Sequence, residues 1–282
     1  MTYSELYNEG RDFLNSADIT EAALDSRLLL EFVCGADRNT LYAHPDRIVT
    51  AMEEENYRKL LAKRAEHIPL QHLVGECDFC GLTFKVNGNV LIPRQDTEIL
   101  AEEAMRYIED GMKVLDMCTG SGCIILSLVN YKNNLEAVGV DISERALAVA
   151  RENAERLNSL DRGNITFLQG DLYEALAGCK DRFDVIVSNP PYIRDDVIKT
   201  LSPEVKDHDP YIALSGGKDG LDFYRRIIKK APDFLSSEGK IFLEIGYDQS
   251  ESVTALLREA GFKNIETIKD YAGLDRVVKA GI

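Results

Sequence analysis

The chain predicts an α/β protein: a mostly parallel, seven-stranded sheet flanked by helices, preceded by a small helical domain and a β-hairpin. Three observations carry this. From Pro93 onward short apolar runs alternate with amphipathic stretches; before about residue 70 the apolar residues keep a helical period only; and between the two, apolar and polar residues alternate one by one.

The helical domain is expected over residues 1–70. Tyr3, Leu6, Tyr7, Phe13 and Leu14 recur at helical spacing, as do Leu24, Leu28, Leu29 and Phe32 within 20–33, where Gly35 supplies the stop. Tyr57, Leu60 and Leu61 repeat the pattern within 52–65, and Asp18-Ile19-Thr20-Glu21 offers caps for the second helix. Residues 71–95 form the connector. Cys77 to Ile92 alternates around Gly81 and Asn87-Gly88, the signature of strands joined by tight turns. Residues 96–282 hold the sheet, with strands expected at 113–117, 137–141, 165–169, 183–188, 240–245, 265–268 and 276–279. The last two are so close in sequence that they pair antiparallel at the sheet edge.

Composition narrows the function. A chain of 282 residues with 45% hydrophobic and 29% charged residues is ordinary for a soluble protein of two domains. The first residues lack a basic flank and an apolar h-region, and no apolar run approaches the roughly 18 residues of a membrane span, so a cytoplasmic protein is expected. Six scattered cysteines suggest reduced thiols. Cys77 and Cys80 lack a second ligand pair, so no metal is expected and they read as packing thiols. A formal charge of −15 disfavours binding along a nucleic-acid backbone. The densest basic cluster, Arg225-Arg226 with Lys229-Lys230, reads as a solvated helix face.

Four strand ends carry chemistry. Asn189-Pro190-Pro191-Tyr192 follows the apolar run 183–188, at the carboxyl end of a strand, where open α/β sheets bind ligands. A planar NH₂ group suits it: Asn189 Oδ1 and the Pro190 carbonyl can accept its two N–H bonds, and Tyr192 can stack on its face. The turn Cys118-Thr119-Gly120-Ser121-Gly122 ends the first strand of the sheet and opens a helix, with free N–H groups and small residues for close approach. Ile125 occupies the place of the third glycine that a dinucleotide site wants, whereas Asp116 offers a carboxylate to a cationic amino group, as in S-adenosylmethionine. Asp141 can accept both ribose hydroxyls or cap the next helix. Asp171 can accept an adenine amino group, with Leu172 packed on the ring.

In this order of motifs the chain resembles class I (Rossmann-like) S-adenosylmethionine-dependent amine or amide methyltransferases. More closely, Pro69-Leu70-Gln71-His72-Leu73-Val74-Gly75, Phe79-Cys80-Gly81-Leu82-Thr83-Phe84 and Val90-Leu91-Ile92-Pro93-Arg94-Gln95-Asp96-Thr97-Glu98 are similar to the release factor glutamine methyltransferases, the PrmC or HemK family. The likeness extends through Asp270-Tyr271-Ala272-Gly273-Leu274-Asp275-Arg276, nearly the full length. It implies methylation of the glutamine side-chain amide in the Gly-Gly-Gln loop of peptide chain release factors. Residues 118–122 would then hold the methionine part, Asp141 the ribose, Asp171 and Leu172 the adenine, and Asn189 to Tyr192 the glutamine, with the helical domain recognising the substrate. Cys118, Leu172 and Gln95 depart from the family pattern, which more often has glycine, an aromatic and proline there.

The resemblance implies a protein substrate; the acidic charge disfavours nucleic acid and the lack of a long apolar run a membrane, and a monomer is expected. Glu244 faces the same sheet edge and can orient a loop, whereas Arg94 and Glu98 read as a structural pair or cap. Three alternatives stay open: a ribosomal-protein glutamine methyltransferase, a methyltransferase of exocyclic amines in nucleic acid, and a cofactor-binding module without turnover.

Overall fold

Thr2 starts the first helix reciprocally: its hydroxyl accepts the Glu5 N–H at 3.2 Å, and the Glu5 carboxylate accepts the Thr2 N–H at 2.9 Å. The computed structural model describes residues 1–179 and 181–282. It divides into two compact units, Met1–Glu76 with Ser202–His208, and Cys77–Leu201 with Asp209–Ile282.

The first unit holds α1 (Tyr3–Ser16), α2 (Ala22–Cys34), α3 (Arg38–Ala43), α4 (Ala51–Ala65) and α5 (Leu70–Val74). Gly35 ends α2 in the left-handed region, as its position predicts. The expected caps of that helix are absent, however: Glu21 stands at its N-cap and makes no side-chain cap bond. The helices α3 and α5 are too short for periodicity to reveal. Tyr3, Leu6, Leu14, Leu29, Leu30, Tyr57 and Leu61 form the core, while Phe13, Leu24 and Phe32, read as apolar positions, are exposed. Arg64 is buried; its Nε donates to Asp25 Oδ2 at 2.7 Å and its Nη2 to Glu204 of the returning segment.

The second unit opens on the hairpin β1 (Glu76–Phe79) and β2 (Leu82–Lys85), turned at Cys80-Gly81. The strand expected after Asn87-Gly88 does not form: the Val90 N–H turns back to the Asn87 carbonyl, which takes that donor out of any ladder. After α6 (Gln95–Tyr107) come β3 (Lys113–Met117), α7 (Cys123–Tyr131), β4 (Glu136–Asp141), α8 (Glu144–Arg156), β5 (Asn164–Gln169) and β6 (Phe183–Ser188). Short helices α9 (Asp195–Ile198) and α11 (Tyr211–Leu214), with α10 (Pro203–Lys206) between them in sequence but in the first unit, precede α12 (Asp222–Phe234), β7 (Leu235–Glu244), α13 (Ser250–Glu259), β8 (Lys263–Lys269) and β9 (Asp275–Gly281).

The seven strands lie in the order β5-β4-β3-β6-β7-β9-β8. All neighbours are parallel except β9, which runs antiparallel to both β7 and β8. Strand side chains alternate between two cores: Val114, Val185, Val187 and Phe242 face one helical layer, and Leu115, Ile186, Ile241 and Leu243 face the other. The chain runs outward from β3 through β4 to β5 and then crosses back to β6 on the other side of β3, and this reversal of strand order opens a crevice beyond the carboxyl ends of β3 and β6.

Candidate active site

That crevice is a cavity, and the strand ends line it. After Met117 the chain turns through Cys118 (φ 62°), Gly120 (φ 55°) and Gly122 (φ 79°) before α7 begins. Left-handed backbone at position 118 explains why glycine suits it; cysteine there carries strain of about 1–2 kcal/mol. The turn is fixed from β4: the Thr119 N–H donates to the Val140 carbonyl at 3.0 Å, and the Gly120 N–H to Asp141 Oδ2 at 2.9 Å. Asp141 Oδ1 accepts from the Ser143 N–H at 2.9 Å. Asp141 does not cap α8; the Ser143 hydroxyl does, accepting from the Ala146 N–H.

Nine of the residues singled out in the sequence share this cavity: Cys118, Thr119, Gly120, Ser121, Asp141, Asp171, Leu172, Asn189 and Pro191. Asp116, Gly122, Pro190 and Tyr192 are not in its wall. Asp116 lies fully buried beneath the turn, where its Oδ2 accepts from the Thr119 hydroxyl at 2.6 Å and its Oδ1 has no partner. Burial, reinforced by the charge of Asp141, pushes its carboxyl up to about 7, against the pull of the Thr119 hydroxyl. Burial also raises Asp141, although three backbone N–H groups oppose it.

Tyr192 corrects an expectation. Its ring packs against the inner core, and its hydroxyl donates to Glu244 Oε1 at 3.1 Å. Its carbonyl accepts from Gln249 Nε2 at 3.0 Å, so both ends of the residue are tied and the ring does not face the cavity. Asn189 Nδ2 donates to Thr97 Oγ1 at 3.2 Å, which turns Oδ1 away from that donor contact. The turn is braced by the segment 215–220: the Gly216 N–H donates to the Ile193 carbonyl at 2.8 Å, and a Cβ at Gly216 would stand 2.7 Å from Tyr192 Cα.

The residues missed by sequence reasoning surround these. Arg226 is not simply solvated: its Nη2 pairs with Asp171 Oδ2 at 2.7 Å and it lines the cavity beside Phe223. Its neighbour Arg225 does face solvent, paired with Asp219 and Asp222. Arg94 and Glu98 neither pair with each other nor cap α6. Arg94 Nη2 reaches Asp209 Oδ2 at 2.6 Å, and Glu98 Oε1 accepts from the Cys80 N–H at 2.7 Å. These contacts join residues far apart in sequence, and only the glycine density of 215–220 gave a local signal. Cys77 and Cys80 are partly buried, and burial raises both thiols, to about 11 and about 12, which keeps them protonated. Among the described residues no group of acidic, histidine and cysteine side chains could hold a metal, and no helix is long and apolar enough to cross a membrane.

A family described as PrmC N-terminal domain matches residues 5–75, and one described as Methyltransferase domain matches residues 108–261. A Geobacter sulfurreducens protein named release factor glutamine methyltransferase is 41% identical over 268 residues, 95% of this chain and 92% of that protein. A protein of the same name from Clostridium botulinum is 42% identical over 282 residues, 99% of each. In the solved structure of a methyltransferase from Pyrococcus furiosus the fold is alike, with a TM-score of 0.54 at 20% identity over 72% of this chain and 89% of that one.

Proposed function

The chain belongs to the release factor glutamine methyltransferase family, and from that premise we propose that it methylates the side-chain amide nitrogen of the glutamine in the Gly-Gly-Gln loop of peptide chain release factors, with S-adenosylmethionine as donor. The observation that carries this reading is the shared cavity: Asn189 and Pro191 face the same space as the glycine turn, Asp141 and Asp171.

The wall suits that cofactor. Gly120 has open space where a Cβ would stand, so its backbone can approach a ligand closely. The Thr119 hydroxyl, which lines the wall, gives its proton to Asp116 Oδ2 beneath the turn and so presents its oxygen as an acceptor for an ammonium group. Asp141 is aimed at a ribose by two N–H groups that use one lone pair on each oxygen. Asp171 and Leu172 would hold the base. Bound there, S-adenosylmethionine supplies a methyl carbon made electrophilic by its sulfonium.

An amide nitrogen is a poor nucleophile, so positioning has to do most of the catalysis. Asn189 Oδ1 and the Pro190 carbonyl accept the two amide N–H bonds and hold the nitrogen in line, a contribution of roughly 7 to 11 kcal/mol in favourable cases. The same oxygens stabilise positive charge developing on nitrogen. Pro191 closes the wall against water. Tyr192 holds the turn through Glu244 rather than touching the amide. The helical unit serves substrate recognition, and a translation-factor substrate places the work in the cytoplasm.

Mass spectrometry of a purified, unmodified release factor after incubation with enzyme and S-adenosylmethionine tests the reading. One added methyl on the loop glutamine is expected. Modification of a ribosomal protein or of nucleic acid instead would overturn it.

A further inference from the structure

One buried amide joins three loops behind the Asn189–Tyr192 turn. Gln249 stands at the N-cap of α13, yet its side chain caps no N–H of that helix. Instead its Nε2 donates to the Tyr192 carbonyl at 3.0 Å and to the Gly220 carbonyl at 3.2 Å, and its Oε1 accepts the Gly246 N–H at 2.9 Å. All three partners are main-chain groups, whose donor or acceptor character is fixed, so the amide has one orientation only. Reversed, its NH₂ would meet the Gly246 N–H and its oxygen would face two carbonyls. A carboxylate has no proton for this junction and a hydroxyl has only one, whereas an amide supplies both donors and the acceptor.

The junction leaves no room for a longer span. Gly220 has a φ of 77°, and a Cβ there would stand 2.4 Å from the Tyr192 oxygen and 2.6 Å from Gln249 Nε2. Just beyond Gly220, α12 carries Phe223 and Arg226 into the cavity wall, while Tyr192 closes the turn that carries Asn189 and Pro191 into the same wall. Gln249 is not in that wall itself. It ties the main chain of one side to the main chain of the other.

We propose that Gln249 is a positioning residue for methyl transfer: by tying the Tyr192 carbonyl to the Gly220 carbonyl and the Gly246 N–H, it sets where the turn presents Asn189 and the Pro190 carbonyl relative to the wall that holds the cofactor. This rests on the amide-nitrogen reading given above. In-line transfer needs the nitrogen about 3 to 3.5 Å from the methyl carbon, so a shift of about 1 Å at the turn changes the rate of transfer far more than it changes either binding step. The turn has other ties: Glu244 accepts from the Tyr192 hydroxyl at 3.1 Å, and the Gly216 N–H donates to the Ile193 carbonyl at 2.8 Å. Loss of Gln249 therefore displaces the turn without releasing it.

The test compares wild type, Gln249→Glu and Gln249→Met for kcat and KM on release factor, with adenosylhomocysteine affinity and the number of binding sites per chain measured by calorimetry. Glutamate keeps the size and the acceptor for the Gly246 N–H but turns a second oxygen on the two carbonyls; methionine keeps the length and gives up all three bonds. Both variants should lower kcat per binding site about 10- to 100-fold, with KM for release factor and adenosylhomocysteine affinity each within about threefold of wild type. A purely structural role would instead reduce the number of binding sites and leave kcat per site unchanged. That result, a fall in kcat matched by an equal fall in adenosylhomocysteine affinity, or the absence of binding sites in both variants overturns the proposal. A wild-type enzyme that binds adenosylhomocysteine but leaves release factor unmodified fails before any variant is compared, defeats the substrate reading and takes the proposal with it.

Discussion

Asn153 donates from Nδ2 to the Ser121 carbonyl at 2.9 Å, fastening the glycine turn to helix α8. The same side chain pins the hairpin: its Oδ1 accepts the Lys85 N–H at 2.7 Å and its Nδ2 reaches the Lys85 carbonyl at 3.0 Å. Asn153 is fully buried, so it links β2 and the turn without water. Replacing it with leucine of similar volume strands the Ser121 and Lys85 backbone groups. The expected loss is about 1–3 kcal/mol in urea unfolding, with weaker adenosylhomocysteine binding. Unchanged cofactor affinity would show that the turn holds its shape unaided.

Gly216 tests the brace behind the substrate turn. A Cβ there would meet the Tyr192 backbone, which has no flexible side-chain end to give way. Gly216→Ala should therefore cost about 1–3 kcal/mol of stability and displace the turn, lowering kcat well beyond any change in cofactor affinity. A fully active, equally stable variant would mean that the segment 215–220 does not shape the site.

The Asp171–Arg226 pair separates binding from stability. Both side chains are roughly half exposed, so the ion pair itself should contribute no more than about 1 kcal/mol. Asp171→Ala should weaken adenosylhomocysteine binding with little change in melting temperature, whereas Arg226→Ala should spare both the fold and most of the affinity. Equal losses of affinity in the two variants would assign the recognition to the pair rather than to the carboxylate.

Glu244 should trade stability for function. Its folded-state pKa, about 7, lies above its ordinary value of 4.5. Between those values the native state keeps a proton that the unfolded chain has released, so stability falls as pH rises through the window, by up to roughly 3 kcal/mol from this group. Glu244→Gln should flatten that part of the urea-midpoint profile while lowering methyl transfer. A slope identical to wild type would mean that the carboxyl titrates normally.

Local pattern carried most of the fold. Strands 113–117 and 183–188 stand where the apolar runs put them, because strands buried on both faces leave a continuous signal. β7 begins five residues before the expected start, since Leu235 pairs with Phe183 across an irregular register that Gly239 interrupts. The strand foreseen at Val90 fails because alternation alone cannot show that a ladder partner exists. In the site, the strand-end residues were legible from motif order. The direction in which Tyr192 points was not: it depends on Glu244, 52 positions away, and on Gln249, 57 away. Arg226 was misjudged for a related reason, as its helical spacing says nothing of the carboxylate opposite.

The central claim is that Asn189 grips the amide nitrogen rather than the cofactor. Asn189→Ala, assayed in parallel for adenosylhomocysteine affinity by calorimetry and for methylated glutamine in release factor by mass spectrometry, tests it directly. The account predicts affinity within a few-fold of wild type and a fall in methylation of at least about 100-fold. Methylation at the wild-type rate, or a loss explained entirely by cofactor affinity, would contradict it.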